Sequence, residues 1–205
     1  MAHVDWQVLL ITGPTGAGKT TTARALAALQ ASPTIHICLD SVRESVRSGF
    51  ADPLRGWTAE AARQYELALQ ACASVARLYV SNGFRCVIDD VFVPELSASS
   101  LASADIPAEF REKALEELQR LDPPTFSRWR AALEGLDCQL AVLLPSLPKV
   151  LERNAARSTS KDVPREMLAM IYEMTLSWRQ DDVFVLDNSD LSPEEAAQRI
   201  EEHLS

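Results

Sequence analysis

Gly13-Pro14-Thr15-Gly16-Ala17-Gly18-Lys19-Thr20 is the stretch of sequence that decides the fold. Its residues fit the spacing Gly-x4-Gly-Lys-Thr. The apolar run at residues 8–12 precedes it and predicts a buried strand, and residues 21–29 after it have the composition of a helix. A strand, a glycine-rich loop and a helix in this order form the context in which the pattern cradles phosphate groups. We therefore expect the residues from Gly13 to Thr20, together with Thr21, to bind a nucleotide.

Each residue type in this loop has a physical reason. Glycines allow backbone turns that a Cβ atom would block, so successive N–H groups can point into one concavity. The helix that follows presents its unpaired N–H groups and the positive end of its dipole to the same place. Lys19 would reach the outer phosphates, and the hydroxyl of Thr20 would ligate magnesium. A chance match in an ordinary strand–turn–helix is the alternative, and the two flanking elements argue against it.

Length and composition limit the classes of protein to consider. The 205 residues suffice for a single α/β domain, which we expect to span residues 1–205. The net charge of −9 argues against broad nucleic-acid binding, although a short basic groove would be compatible with it. The four dispersed cysteines indicate buried thiols in a reducing compartment. No apolar run is long enough to span a membrane, and residues 1–6 carry no basic segment, so we predict a cytoplasmic protein.

Short apolar runs alternate with helical patterns, which predicts a parallel sheet covered by helices on both faces. Strands are predicted at residues 8–12, 34–38, 85–91, 139–144 and 183–186. Helices are predicted at residues 19–30, 40–48, 59–81, 108–121, 125–136, 147–157, 164–177 and 193–203. Residues 94–136 form a long insertion that begins with a low-complexity loop. Such an insertion is either a lid or binding loop, or an ordinary surface excursion.

Polar residues follow the second predicted strand, at the end of the sheet where open α/β folds bind their ligands. Asp40 is the candidate general base, because a hydroxyl that attacks a γ-phosphoryl group needs a carboxylate to accept its proton. Its alternative role is only to cap the helix that it begins. Arg43 lies three residues further on the same helix face, where it can orient a substrate or a phosphate.

The third predicted strand runs into two adjacent carboxylates, Asp89 and Asp90. Both are candidates for binding the substrate, and a carboxylate beside the phosphate loop also suits magnesium. Adjacent residues of a strand face opposite ways. We therefore expect one of the two to be functional and the other to cap the turn, and we favour Asp89 as the magnesium residue.

Basic residues recur at intervals of four between residues 149 and 165, where we predict a lid. They are Lys149, Arg153, Arg157, Lys161 and Arg165. A lid that brings Arg153 and Arg157 over the phosphates would neutralise charge that develops in the transition state. The alternative is a solvated helix face on which Glu152 is the local partner. Other features indicate structural roles: Tyr65 is expected to pack, and the three histidines are too scattered to indicate a metal site or a catalytic triad.

These segments together resemble small P-loop kinases of the chloramphenicol phosphotransferase-like and polynucleotide 5′-hydroxyl kinase-like groups. Residues 83–93, Gly-Phe-Arg-Cys-Val-Ile-Asp-Asp-Val-Phe-Val, resemble the third-strand segment of the first group, whose second strand also ends in Asp-Ser, as Asp40-Ser41 does here. The pattern Asp40-x-x-Arg43 and residues 152–157, Glu-Arg-Asn-Ala-Ala-Arg, are similar to the second group.

The resemblance implies a three-layer P-loop NTPase fold with a lid and five parallel strands in the order 2-3-1-4-5. It implies ATP and Mg²⁺ as cofactors and Asp40 as the base. It also implies that Arg157 contacts the phosphates and that the aspartate ending the third strand supports Arg43.

The sequence therefore predicts an ATP-dependent phosphotransferase that acts on a hydroxyl of a small molecule, with Lys19, Asp40 and Arg157 as its catalytic residues. A polynucleotide 5′-hydroxyl kinase is the second hypothesis, which the acidic net charge weakens. The third hypothesis is a nucleotide-binding regulatory protein that transfers no phosphoryl group.

Overall fold

The central element of the fold is a parallel sheet with the strand order β2-β3-β1-β4-β5. It is seen in a computed structural model that describes residues 6–94, 125–157, 163–180 and 183–204. The strands are β1 (Val8–Thr12), β2 (Thr34–Cys38), β3 (Arg85–Asp89), β4 (Cys138–Leu143) and β5 (Phe184–Leu186). All four strand pairs are parallel. The predicted α/β class, the five parallel strands and their order are confirmed.

Helices cover both faces of this sheet. In chain order they are α1 (Lys19–Leu29), α2 (Leu39–Arg43), α3 (Ala59–Val80), α4 (Phe126–Ala132), α5 (Leu147–Ala155), α6 (Arg165–Leu176) and α7 (Pro193–Leu204). Short 3₁₀ turns occupy Pro53–Arg55 and Ser177–Gln180. α1 and α7 contribute to one core, and α3, α4 and α6 contribute to the other. None of the described helices is both long and apolar enough to cross a membrane.

The alternation of side chains along the central strand fixes which residues face each layer. All five residues of β1 are buried. Leu9 and Ile11 belong to the core that α1 and α7 cover, and Val8 and Leu10 belong to the core on the other face of the sheet. Ile11 is paired with Asp89 in the ladder between β1 and β3. Because paired residues of neighbouring strands point to the same face, Asp89 lies on the α1 side of the sheet and Asp90 turns to the other side.

The second helix and the third strand end earlier than the sequence pattern indicated. The helix predicted at residues 40–48 ends at Arg43, because the hydroxyl of Ser45 donates to the carbonyl of Val42 at 2.6 Å and competes with further helical bonds. The third strand ends at Asp89 instead of residue 91. Beyond it, the hydroxyl of Thr12 bonds the backbone of Phe92 in place of a ladder partner.

The long insertion leaves and rejoins the described fold at a single place. Val93 and Thr125 form an isolated parallel bridge, and the N–H of Phe126 donates to the carbonyl of Val93 at 3.0 Å. α4 occupies residues 126–132 of the helix predicted at 125–136. The helix predicted at residues 108–121 lies outside the described residues.

Candidate functional site

A pocket of about 220 Å³ opens at the carboxyl end of the sheet. Ten of the residues singled out in the sequence line it, and Val91 completes its wall. The ten are Thr15, Gly16, Gly18, Lys19, Thr20, Thr21, Asp40, Asp89, Arg153 and Arg157. They come from the loop after β1, from α2, from the end of β3 and from the region of α5. The fold therefore brings together groups that are up to 142 residues apart in the sequence, counted from Thr15 to Arg157.

The loop after β1 wraps around the start of α1. Gly18 immediately precedes the helix and has a φ of 90°, a conformation that favours glycine. The N–H of Ala17 donates to the carbonyl of Pro14 at 3.1 Å, which closes a turn within the loop. The first helical N–H groups, which have no carbonyl partner within the helix, therefore start at the pocket. This arrangement suits an anion such as a phosphate group.

Lys19 is buried within this loop, with only 8% of its surface exposed. Its Nζ donates to the carbonyls of Gly13 at 3.0 Å and Pro14 at 3.1 Å. Burial lowers the pKa of Lys19, and the nearby carboxylates of Asp89 and Asp40 oppose that shift. The ammonium group is thus poorly hydrated, a condition that strengthens its attraction to phosphate oxygens.

Gly13 makes the closest backbone approach in the loop. Its φ is 143°, and a Cβ atom added there would lie 2.1 Å from the carbonyl oxygen of Leu143 in β4. We expect Gly13→Ala to lower the free energy of unfolding by about 3 kcal/mol, because the strand backbone cannot give way. Urea denaturation measures the change. Gly83→Ala is the matched control, since its φ is 82° and nothing lies within 4 Å of the added atom; equal losses in the two variants would contradict the clash.

Thr20 and Asp89 form the part of the pocket suited to a metal ion. The hydroxyl of Thr20 donates to Oδ1 of Asp89 at 2.7 Å, and Nε2 of His36 lies 2.6 Å from Oδ2 of the same carboxylate. Oxygen donors of this kind fit Mg²⁺, which keeps several waters and uses few protein ligands beside the phosphates. Across the described ranges no group of three or more His, Cys, Asp or Glu side chains could hold a metal. A magnesium ion here would therefore depend on Thr20, Asp89, nucleotide oxygens and water.

Asp40 lies in the pocket on α2, and 59% of its side chain is exposed. It is the second residue of α2, whose N-cap is Cys38, so the alternative that Asp40 caps this helix is wrong. Nη1 of Arg43 lies 3.6 Å from Oδ1 of Asp40. Arg43 itself is buried, and within the described part of the chain its Nε has no hydrogen-bond partner.

The support for Arg43 differs from what the resemblance implied. Both carboxylate oxygens of Asp89 are engaged by Thr20 and His36, on the α1 side of the sheet. Arg43 is paired with Asp40 instead. The implied contact between Asp89 and Arg43 is therefore replaced by an Asp40–Arg43 pair within α2.

Asp90 is buried away from the pocket, on the other side of the sheet. Its Oδ2 accepts hydrogen bonds from the hydroxyl of Tyr65 at 2.5 Å and from Nε1 of Trp129 at 2.9 Å. Its Oδ1 accepts from the N–H of Val91 at 2.6 Å. Burial raises the pKa of Asp90 to about 7, against the lowering effect of these bonds. Asp90 thus connects the end of β3 to α3 and α4 by hydrogen bonds, and it is not among the residues that line the pocket.

The Asp90 carboxyl gives the stability of the protein a pH dependence. The pKa of about 7 in the folded protein compares with an ordinary aspartate pKa of 3.8. Between these values the folded state binds more protons at Asp90 than the unfolded state, so the free energy of unfolding falls as pH rises from about 4 to about 7. We expect this contribution to vanish in Asp90→Asn. Urea denaturation of both proteins between about pH 5 and pH 8 tests it; a difference between them that does not change with pH would contradict the prediction.

Arg153 connects three segments around the phosphate loop. Its guanidinium donates to the carbonyls of Ala17 at 3.3 Å, Asn188 at 2.8 Å and Ser189 at 3.3 Å. The side-chain amide of Asn188 also donates to the carbonyl of Ala17, at 2.8 Å. Arg153 thus joins α5, the segment after β5 and the loop after β1. It lines the pocket while its Nη1 and Nη2 both bond backbone carbonyls.

The remaining basic residues of the predicted lid take different positions. Arg157 lines the pocket just beyond the end of α5, close enough for its charge to act on Lys19. Lys149 bonds Glu152 at 2.8 Å, as expected for a solvated face. Lys161 lies outside the described residues. The basic residues that recur at intervals of four therefore do not act together: Arg153 and Arg157 line the pocket, and Lys149 lies on the surface.

His36, which bonds Asp89, was set aside in the sequence analysis with the other histidines. Asn188 belongs to the polar segment Asp187-Asn188-Ser189 that ends the fifth predicted strand, and it bonds the phosphate loop. The strand order and the alternation along β2 would have found His36, because it is paired with Val87, two residues before Asp89 on the same face.

The chain matches the family described as AAA domain (AAA_33) over residues 8–175. Its fold is similar to that of a sugar kinase from Janibacter sp. HTCC2649, with a TM-score of 0.57, 13% identity, and 96% of this chain and 92% of that chain covered. No curated protein sequence matches the chain.

Two further solved structures have a similar fold. For shikimate kinase from Acinetobacter baumannii, solved with shikimate, the TM-score is 0.58 at 15% identity, and 99% of this chain and 95% of that chain are covered. For thymidylate kinase from Candida albicans the TM-score is 0.59 at 14% identity, with 97% and 91% covered. At these identities the likeness shows the fold alone, which is that of P-loop kinases.

Proposed function

Because this chain belongs to the AAA domain family AAA_33 and has the fold of P-loop kinases, we propose that it is an ATP-dependent phosphotransferase. It moves the γ-phosphoryl group of ATP to a hydroxyl group of a small molecule. The main observation in support of this proposal is that one pocket is lined by Lys19, Thr20, Asp40, Asp89 and Arg157. A phosphate cradle alone would bind a nucleotide, whereas the exposed carboxylate of Asp40 in the same pocket adds a group that can accept a proton.

The phosphate loop holds the nucleotide in this proposal. The N–H groups at the start of α1 and the ammonium of Lys19 face the phosphate oxygens. Mg²⁺, when bound, neutralises charge on the β- and γ-phosphates. Thr20 and Asp89 are the residues that would hold it. Arg157 adds a second positive charge beside Lys19, where charge on the transferred group is stabilised.

Asp40 is the general base of the proposed reaction. Its carboxylate is exposed within the pocket, so an acceptor hydroxyl can approach it. The hydroxyl proton passes to Asp40 as the oxygen bonds the γ-phosphorus, and the bond to the leaving ADP breaks. Arg43 is buried and pairs with Asp40 at 3.6 Å, so its guanidinium can orient that carboxylate.

Small hydroxylated acceptors have the better support. The similar structures include a protein named as a sugar kinase and a shikimate kinase solved with shikimate. The net charge of −9 disfavours a long anionic polymer as the acceptor. A small-molecule alcohol is therefore the class to test first, as in the chloramphenicol phosphotransferase-like group, and a 5′-hydroxyl oligonucleotide is the comparison.

A transfer assay tests the proposal directly. The protein is incubated with γ-labelled ATP and Mg²⁺ and is offered a library of hydroxylated small molecules or a 5′-hydroxyl oligonucleotide. We expect label in a small molecule and its loss in the Asp40→Asn protein. Label on the oligonucleotide would instead establish a polynucleotide kinase. If nucleotide binds and neither pool gains label, the proposal fails in favour of a nucleotide-binding regulatory protein.

A further inference from the structure

His36 lies against the candidate magnesium residues on the α1 side of the sheet. It is paired with Val87 in the ladder between β2 and β3, which places it diagonally beside Asp89. Its Nε2 is 2.6 Å from Oδ2 of Asp89, and the side chains are 14% and 4% exposed respectively. An ionised carboxylate can only accept hydrogen bonds. Nε2 therefore carries the proton and donates it to Asp89.

The two bonds to Asp89 fix the orientation of its carboxylate. Oδ2 is held by His36, and Oδ1 accepts the hydroxyl proton of Thr20 at 2.7 Å. A hydroxyl that donates its proton in this direction keeps its oxygen lone pairs for another partner, such as a cation. The carboxylate thus orients Thr20, and the imidazole orients the carboxylate. Loss of the imidazole would leave a buried carboxylate free to rotate away from Thr20.

We propose that His36 is a positioning residue for magnesium, acting through Asp89 on Thr20. This inference rests on the proposed function, because it assigns His36 to the same nucleotide site. Hydrogen-bond partners behind metal ligands commonly set the affinity of a site, and their loss costs about 10- to 100-fold in metal binding. A histidine that merely satisfied a buried carboxylate would affect folding without changing the magnesium dependence of nucleotide binding.

The test compares two replacements of His36. Glutamine can place its Nε2 near the position of the imidazole Nε2, whereas asparagine is one carbon shorter and cannot reach Asp89. The dissociation constant of ADP is measured by calorimetry with excess MgCl₂ and with EDTA. The ratio of the two constants gives the gain in affinity that magnesium supplies. Thermal unfolding of each variant without nucleotide reports any loss of stability separately.

In the wild-type protein we expect magnesium to tighten ADP binding. His36→Asn should reduce this gain by about 10-fold, with the dissociation constant in EDTA unchanged, and His36→Gln should recover most of it. The inference is overturned if His36→Asn keeps the wild-type gain or if both variants lose it equally. It is also overturned if His36→Asn raises the dissociation constant of ADP in EDTA as much as the constant in MgCl₂. A wild-type protein that does not bind ADP at all would overturn the proposed function itself.

Discussion

Replacement of Asp40 by Asn is expected to lower kcat for phosphoryl transfer by about 10²- to 10⁴-fold. The amide has nearly the same shape as the carboxylate but cannot accept the hydroxyl proton. Nucleotide affinity should change little, because Asp40 lies on α2 and is not part of the loop that cradles the phosphates. Steady-state kinetics with a saturating acceptor and calorimetric titration with ADP measure the two effects.

Asp137→Asn provides the matched control for this experiment. Asp137 is exposed and directly precedes β4, so it lies at the amino end of the sheet, opposite the pocket. The same chemical change there should leave kcat unaltered. The change also takes a carboxylate away from the buried guanidinium of Arg43, 3.6 Å from Asp40, so thermal unfolding of Asp40→Asn is measured alongside to report any loss of stability. Equal losses of kcat and nucleotide affinity in Asp40→Asn would show that Asp40 holds the nucleotide and is not the base.

Replacement of Lys19 by Met is expected to lower kcat by about 100- to 1,000-fold and to weaken nucleotide binding as well. The ammonium is buried close to Asp89 and Asp40, so its removal leaves these two acidic groups of the pocket facing the incoming phosphates. Methionine keeps the unbranched shape. The nucleotide-free protein should lose little stability, because the change also removes a buried charge that is costly to desolvate.

Thermal unfolding with and without ADP and Mg²⁺ separates these effects of Lys19→Met. The rise in Tm that nucleotide produces in the wild-type protein should disappear, since it reports binding to the folded state. Lys149→Met is the control, because Lys149 is paired with Glu152 on the surface. A variant that keeps the full nucleotide-induced rise in Tm would contradict a role for Lys19 in binding.

The sequence was sufficient for the features that local chemistry determines. The loop around Lys19 and the buried strand before it follow from residue types at fixed spacing, and the convergence of Asp40 and Asp89 follows from the strand ends. The length of α2 did not follow, because the hydroxyl of Ser45 bonds a backbone carbonyl that a longer helix would have used.

Contacts between distant strands were harder to predict. His36 was dismissed because the histidines were compared along the chain. The predicted strand order places β2 beside β3, but it does not give the register that brings His36 to Asp89. Arg153 was expected over the phosphates because its spacing matched that of Arg157. Its actual carbonyl partners lie in segments that only the folded chain brings together.

The bridge between Val93 and Thr125 has an evolutionary consequence. Chain that leaves and rejoins a fold at one point can be lengthened, shortened or exchanged without moving the strands on either side. For a flexible segment in general, each doubling of its length costs only about 0.6 kcal/mol in closure entropy. Natural variation and deliberate grafting should therefore be tolerated between these two residues far better than within the neighbouring β3, where a one-residue shift would turn Asp89 away from Thr20.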